Sequence, residues 1–120
     1  MESGKGSDIR DRAFAFACAA IALHRFVYKR EPSLRYTSGQ ASSAAASVGA
    51  NLEEADAAQS RADFISKCNI ALKEARESRY WLRILATFIR SRRIQALIAE
   101  STEVIAILTT IVRKSREHHE

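Results

Sequence analysis

The stretch SRADFISKCNIALKEARESRYWLRILATFIR, residues 60–90, decides the fold. Within it Phe64, Cys68, Ala71, Ala75, Ser78, Leu82, Leu85 and Ile89 follow one another at steps of 4, 3, 4, 3, 4, 3 and 4. An apolar or small residue at that period lies on one side of an α-helix and keeps that side against partner helices. Ser60, with Asp63 three residues on, supplies a capping-box start, Asp standing where Glu is usual. One helix with a continuous apolar seam needs others to cover it.

The flanking sequence supplies three more. Residues 8–29 carry two seams, Ala13, Ala17, Ile21, His24, Tyr28 and Phe16, Ala20, Leu23, Val27. Ser7 is a candidate N-cap, with residues 1–6 expected to be frayed. Pro32 ends this helix by driving Glu31 out of the helical region. Residues 33–58 repeat the heptad at Ala41, Ala45, Val48, Leu52 and Ala55, inside the low-bulk segment ASSAAASVGA, where small side chains let a neighbouring backbone come close. Gly39 and Gly49 each cost about 1 kcal/mol against Ala in a helix interior and are candidate points of close approach. Residues 92–116 follow with Ile94, Leu97, Ser101, Val104, Leu108 and Ile111, flanked by Ile98, Ile105 and Val112. His118 and His119 fall in the expected frayed end. Helices at about 8–29, 33–58, 61–89 and 92–116, joined by short links, predict a single all-α domain, an antiparallel up-down-up-down four-helix bundle. Two apolar seams on the first helix are more than one bundle core requires, and the spare face points to a subunit interface, hence a homo-oligomer.

Composition agrees. Among 120 residues 47% are hydrophobic, enough for a core, and only 4 Gly and 1 Pro are available for turns. The run Ala13–Leu23 is far shorter than the ~20 residues that span a bilayer, so a soluble, cytoplasmic protein with no membrane partner is expected. Cys18 and Cys68 have no CxxC pairing and occupy core-like positions, as buried, reduced thiols do.

No catalytic set emerges. A carboxylate-bridged di-metal bundle needs inward carboxylates with Glu-x-x-His on two helices, and no Glu-x-x-His occurs. His24 reads as a satisfied core histidine. Neither cysteine has a His or Lys in register to lower its pKa. The expectation is no enzyme, no metal and no cofactor.

The basic residues say more. Lys and Arg total 19 against 14 acidic residues, a formal +5. Between Arg61 and Arg93 the ratio is nine to three. Arg76, Arg79, Arg83 and Arg90 recur at i, i+3, i+7 and i+14, one stripe beside the core seam, and Arg92 and Arg93 extend it. Two readings stand: a phosphate-tracking surface for RNA or a ribonucleoprotein, or arginines that meet Glu53, Glu54, Glu100 or Glu103 from neighbouring helices or subunits. The second leaves a protein–protein scaffold that binds no nucleic acid. Tyr80 and Trp81 adjoin the seam and read as packing residues.

Three linked segments, SVGANLEEA at 47–55, QSRADFISK at 59–67 and ALKEARESRYWLR at 71–83, resemble the signature of the bacterial four-helix-bundle proteins found in intervening sequences of 23S ribosomal RNA genes. The resemblance implies a small cytosolic bundle that assembles as a homopentamer, with no established enzymatic activity. It is also similar to the accessory variability protein of diversity-generating retroelements, a basic pentamer that binds nucleic acid. On that resemblance Asn51, Glu54, Ser60, Glu74 and Glu77 take structural roles, fixing the turn between the second and third helices or the subunit contacts.

Overall fold

The computed structural model describes residues 5–119. Four α-helices follow one another: α1 (Lys5–Arg30), α2 (Arg35–Asp56), α3 (Arg61–Phe88) and α4 (Arg92–His119). They run up, down, up, down. α2 packs against α1 and α3, α4 against α3 and more lightly α1, so α1 and α3 lie across the diagonal. The molecule measures 49 × 29 × 21 Å.

Each boundary has a local cause. α1 ends where Glu31, ahead of Pro32, takes φ −133° and ψ 74°. Pro32–Leu34 then form a 3-10 turn, so α2 begins at Arg35, two residues later than expected. α2 closes at Asp56, with the Ala57 and Ala58 amides donating to the carbonyls of Glu54 and Ala55. Ser60 caps α3, its Oγ accepting from the Asp63 amide at 3.0 Å. α3 stops at Phe88 because Ile89 is extended, at φ −126° and ψ 122°. Ser91 Oγ accepts from the amides of Arg93 and Ile94 and starts α4. α1 begins at Lys5, ahead of the candidate Ser7 cap, and α4 continues to His119, past the expected end; the remainder of the stretch expected to be frayed lies outside the described residues.

The core is what the heptads require. Cys68, Ala71, Ala75, Ser78, Leu82 and Leu85 of α3 are buried, and so are all five seam residues of α2. On α4 Ile94, Leu97, Ser101, Val104 and Leu108 are buried. α2 and α3 make the most intimate pair, and the Ser78 hydroxyl donates to the Ala41 carbonyl between them. Neither helical glycine is sterically demanded: a Cβ on Gly49 would lie 3.8 Å from Ala13, and one on Gly39 3.5 Å from the His24 ring.

α1 buries one of its two seams and leaves the other face open. Its Phe16, Ala20, Leu23 and Val27 seam is buried, but of the other seam only Ala13 is. Ile21 and Tyr28 are exposed, as are Phe14, at 72%, and Cys18. Cys18 is therefore not the core thiol the sequence suggested. It is exposed on α1, between Phe14 and Ile21. α4, rather than Ala13–Leu23, is the stretch long and apolar enough to cross a membrane by length and composition. A core helix with the buried seam just described meets the same criterion.

Candidate nucleic-acid interface

The arginines divide into two groups. Arg76, Arg79 and Arg83 stand on α3 beside its seam, on the side toward α4. Arg79 Nε donates to Thr102 Oγ1 of α4 at 3.0 Å, and Arg76 borders a shallow groove with Thr109, Val112 and Arg113 of α4. Arg90 does not continue this stripe. The spacing places Arg90 on the stripe at i+14, but the extended backbone at Ile89 puts it in the α3–α4 link. Arg92 and Arg93 open α4, whose first turn holds no acidic residue to offset them.

Among the described residues none of the six forms an ion pair. The carboxylates that could have neutralised them are engaged elsewhere or stand apart. Glu53 and Asp56 of α2 lie 3.6 and 3.4 Å from Arg10 of α1. Glu100 of α4 makes a two-pronged bond with Arg12 of α1, at 2.8 and 2.9 Å. That bond joins α1 to α4, and an open groove beside Arg12 is bordered by Ile9, Ala106, Ile107 and Ile111.

The five motif residues cluster less tightly. Ser60 is the α3 cap. Asn51 Nδ2 donates to the Ser47 carbonyl within α2 at 2.9 Å, and Glu54 is exposed. Glu77 accepts from Trp81 Nε1 at 3.1 Å. Glu74, half-buried one turn away, has its carboxyl pushed above the ordinary range by burial and by the neighbouring Glu77 charge, with Lys73 opposing. His24 Nδ1 is 2.6 Å from Ser38 Oγ, a partnered histidine. Burial pushes the Cys68 thiol up to about 11, which keeps it protonated and unreactive. No group of three or more His, Cys, Asp or Glu among the described residues is arranged to hold a metal ion.

Tyr80 corrects the sequence reading: it is 56% exposed, while Trp81 is half-buried. Two arginines outside the predicted stripe, Arg30 and Arg35, join Arg93 in lying against aromatic rings. Arg30 lies over the Phe26 ring at 4.2 Å, and Arg93 of α4 approaches the same ring at 5.5 Å. Arg35 lies over Tyr28 at 4.1 Å and donates from Nε to the Tyr28 carbonyl. The signal was available in the topology, because an up-down bundle brings the α1–α2 and α3–α4 links to the same end.

The 23S rRNA-intervening sequence protein family model matches residues 5–110 of the chain. Among solved structures, a protein of unknown function from the S23 ribosomal protein family of Bacteroides thetaiotaomicron is 38% identical. The match covers 92% of this chain and 99% of that one, with a TM-score of 0.84. No curated protein matches.

Proposed function

The chain belongs to the 23S rRNA-intervening sequence protein family, and on that premise we propose that it is a non-enzymatic homo-oligomer, a pentamer, that binds RNA or a ribonucleoprotein through its unpaired arginines. The observation that carries the reading is electrostatic. Six guanidinium groups at Arg76, Arg79, Arg83, Arg90, Arg92 and Arg93 have no internal counter-charge among the described residues, while Glu53, Asp56 and Glu100 face Arg10 and Arg12. Phosphate is the partner that matches such groups without a specific pocket, and binding of that kind weakens steeply with salt.

Self-association rests on α1. Phe14, Cys18 and Ile21 follow at steps of 4 and 3, all exposed. A heptad seam left uncovered by its own bundle suits a helix of a second copy. Light scattering at five times the chain mass is expected, and a monomer mass contradicts the assembly.

Titration of a labelled structured RNA at 50 and 200 mM salt tests the binding. Salt-dependent binding at micromolar protein or below is expected, lost when Arg76, Arg79 and Arg83 are all changed to Glu. Absent or salt-insensitive binding removes the reading and leaves a protein–protein scaffold.

A further inference from the structure

Charge and aromatic side chains are unevenly distributed along the bundle. Residues 25–36, at the end of α1 and start of α2, hold Arg25, Lys29, Arg30 and Arg35 against Glu31 alone. Residues 83–93, at the end of α3 and start of α4, hold Arg83, Arg90, Arg92 and Arg93 and no acidic residue. The two segments meet, since the Phe26 ring lies between Arg30 and Arg93. This end of the molecule therefore carries eight basic side chains against one acidic, formally +7, more than the +5 of the whole chain.

The same end concentrates the rings. Of the nine aromatic residues, Phe26, Tyr28, Tyr36 and Phe88 lie here, and Tyr80 and Trp81, one turn back on α3 with Glu77 accepting from Trp81, adjoin them. Apart from Trp81, half-buried against the core, they are exposed, Tyr36 at 70% and Phe88 at 69%. Tyr36 meets Trp81 edge-on at 6.0 Å, and Trp81 meets Tyr80 at 5.5 Å. From Arg93 and Phe26 through Tyr28 and Arg35 to Tyr36 and Trp81, cations and rings pass from α4 to α1, α2 and α3 around the end. Arginines anchored over rings keep free N–H donors in fixed positions.

We infer that this link end binds unpaired, single-stranded nucleic acid, its arginines holding phosphates and the exposed rings of Tyr36 and Phe88 stacking on bases. The inference rests on the nucleic-acid reading above and narrows it to a surface and a class of ligand. Base faces are presented by single strands and loops, whereas a duplex keeps them stacked inside. A twofold contact of this end with itself would bring like charge together, and a ring contact with another face of a second copy is what the oligomer mass of the ring variants detects. An acidic peptide would satisfy the guanidiniums and leave the rings without planar partners.

Anisotropy titrations with a labelled 20-nucleotide unstructured RNA and a duplex of equal length test it, using the wild type, Tyr36→Ala and Phe88→Ala. Both residues are exposed, so the fold and the oligomer mass are expected to be unchanged. The single strand is expected to bind at least about tenfold more tightly than the duplex, with each ring removal costing about tenfold for the single strand and little for the duplex. Trp81, the sole tryptophan, should lose emission on binding. If neither RNA binds, the nucleic-acid reading itself fails. If both bind alike and the ring variants match wild type, RNA binding stands and the link-end inference is overturned. Polyglutamate competing as well as RNA, or a change of oligomer mass on removing either ring, overturns it too, by marking the end as a general polyanion surface or a subunit contact.

Discussion

The Ser78 hydroxyl of α3 donates a 3.1 Å hydrogen bond to the Ala41 carbonyl of α2, with both residues buried. Only a small side chain fits where the two backbones approach this closely, and a hydroxyl there satisfies itself on the neighbouring helix. Ser78→Ala is expected to cost about 1 kcal/mol, since Ala41, inside α2, keeps its own helical hydrogen bond. Ser78→Leu is expected to cost about 3 kcal/mol or more by forcing the helices apart. Urea denaturation of both variants checks the order; a Leu variant as stable as Ala would mean that the α2–α3 contact is not tight.

Gly49 faces Ala13 of α1, and the added Cβ of alanine would sit at an ordinary 3.8 Å. Its backbone is helical, without a positive φ. Gly49→Ala is therefore expected to stabilise the bundle by about 0.5–1 kcal/mol, through lower unfolded-state entropy and better helix propensity. A thermal melt reads the gain directly, and a loss of stability would place a steric demand at this position.

The α3 seam was legible because eight residues keep one period without interruption, and periodicity is what burial along a helix requires. The same arithmetic ran past the helix end, since nothing in the spacing marks Ile89 as the residue whose backbone turns extended. α1 was ambiguous for another reason. It is apolar on more than one side, and period alone does not say which side its neighbours cover; hence Cys18, expected inside, is exposed. The link-end cluster depends on pairs such as Phe26 with Arg93, which only the antiparallel topology brings together.

Glu74 carries a pH signature. Burial, reinforced by Glu77, raises its carboxyl above the ordinary value in the folded state. The folded protein then binds a proton more readily than the unfolded chain, so this group's contribution to stability falls as pH rises from the ordinary carboxylate range through the raised value. Glu74→Gln is expected to stabilise the protein at pH 7 and to lose that advantage below the ordinary carboxylate pKa. Melting temperatures of wild type and variant between pH 3.5 and 7.5 test this, and a constant difference across the range would assign the effect to something other than ionisation.

The two thiols report on assembly. Cys68 is sealed in the core, with its pKa pushed up to about 11, so it should label only when the protein unfolds. Cys18 is exposed on the isolated bundle, between Phe14 and Ile21 on the uncovered α1 seam. If that seam is where copies meet, Cys18 should label slowly at high protein concentration and faster on dilution, as the oligomer dissociates. Phe14→Asp, which puts a charge in the seam without touching the core, should give a monomer in which Cys18 reacts at once and Cys68 stays protected. Rapid, concentration-independent labelling of Cys18 in a species of pentameric mass would move the subunit interface off α1.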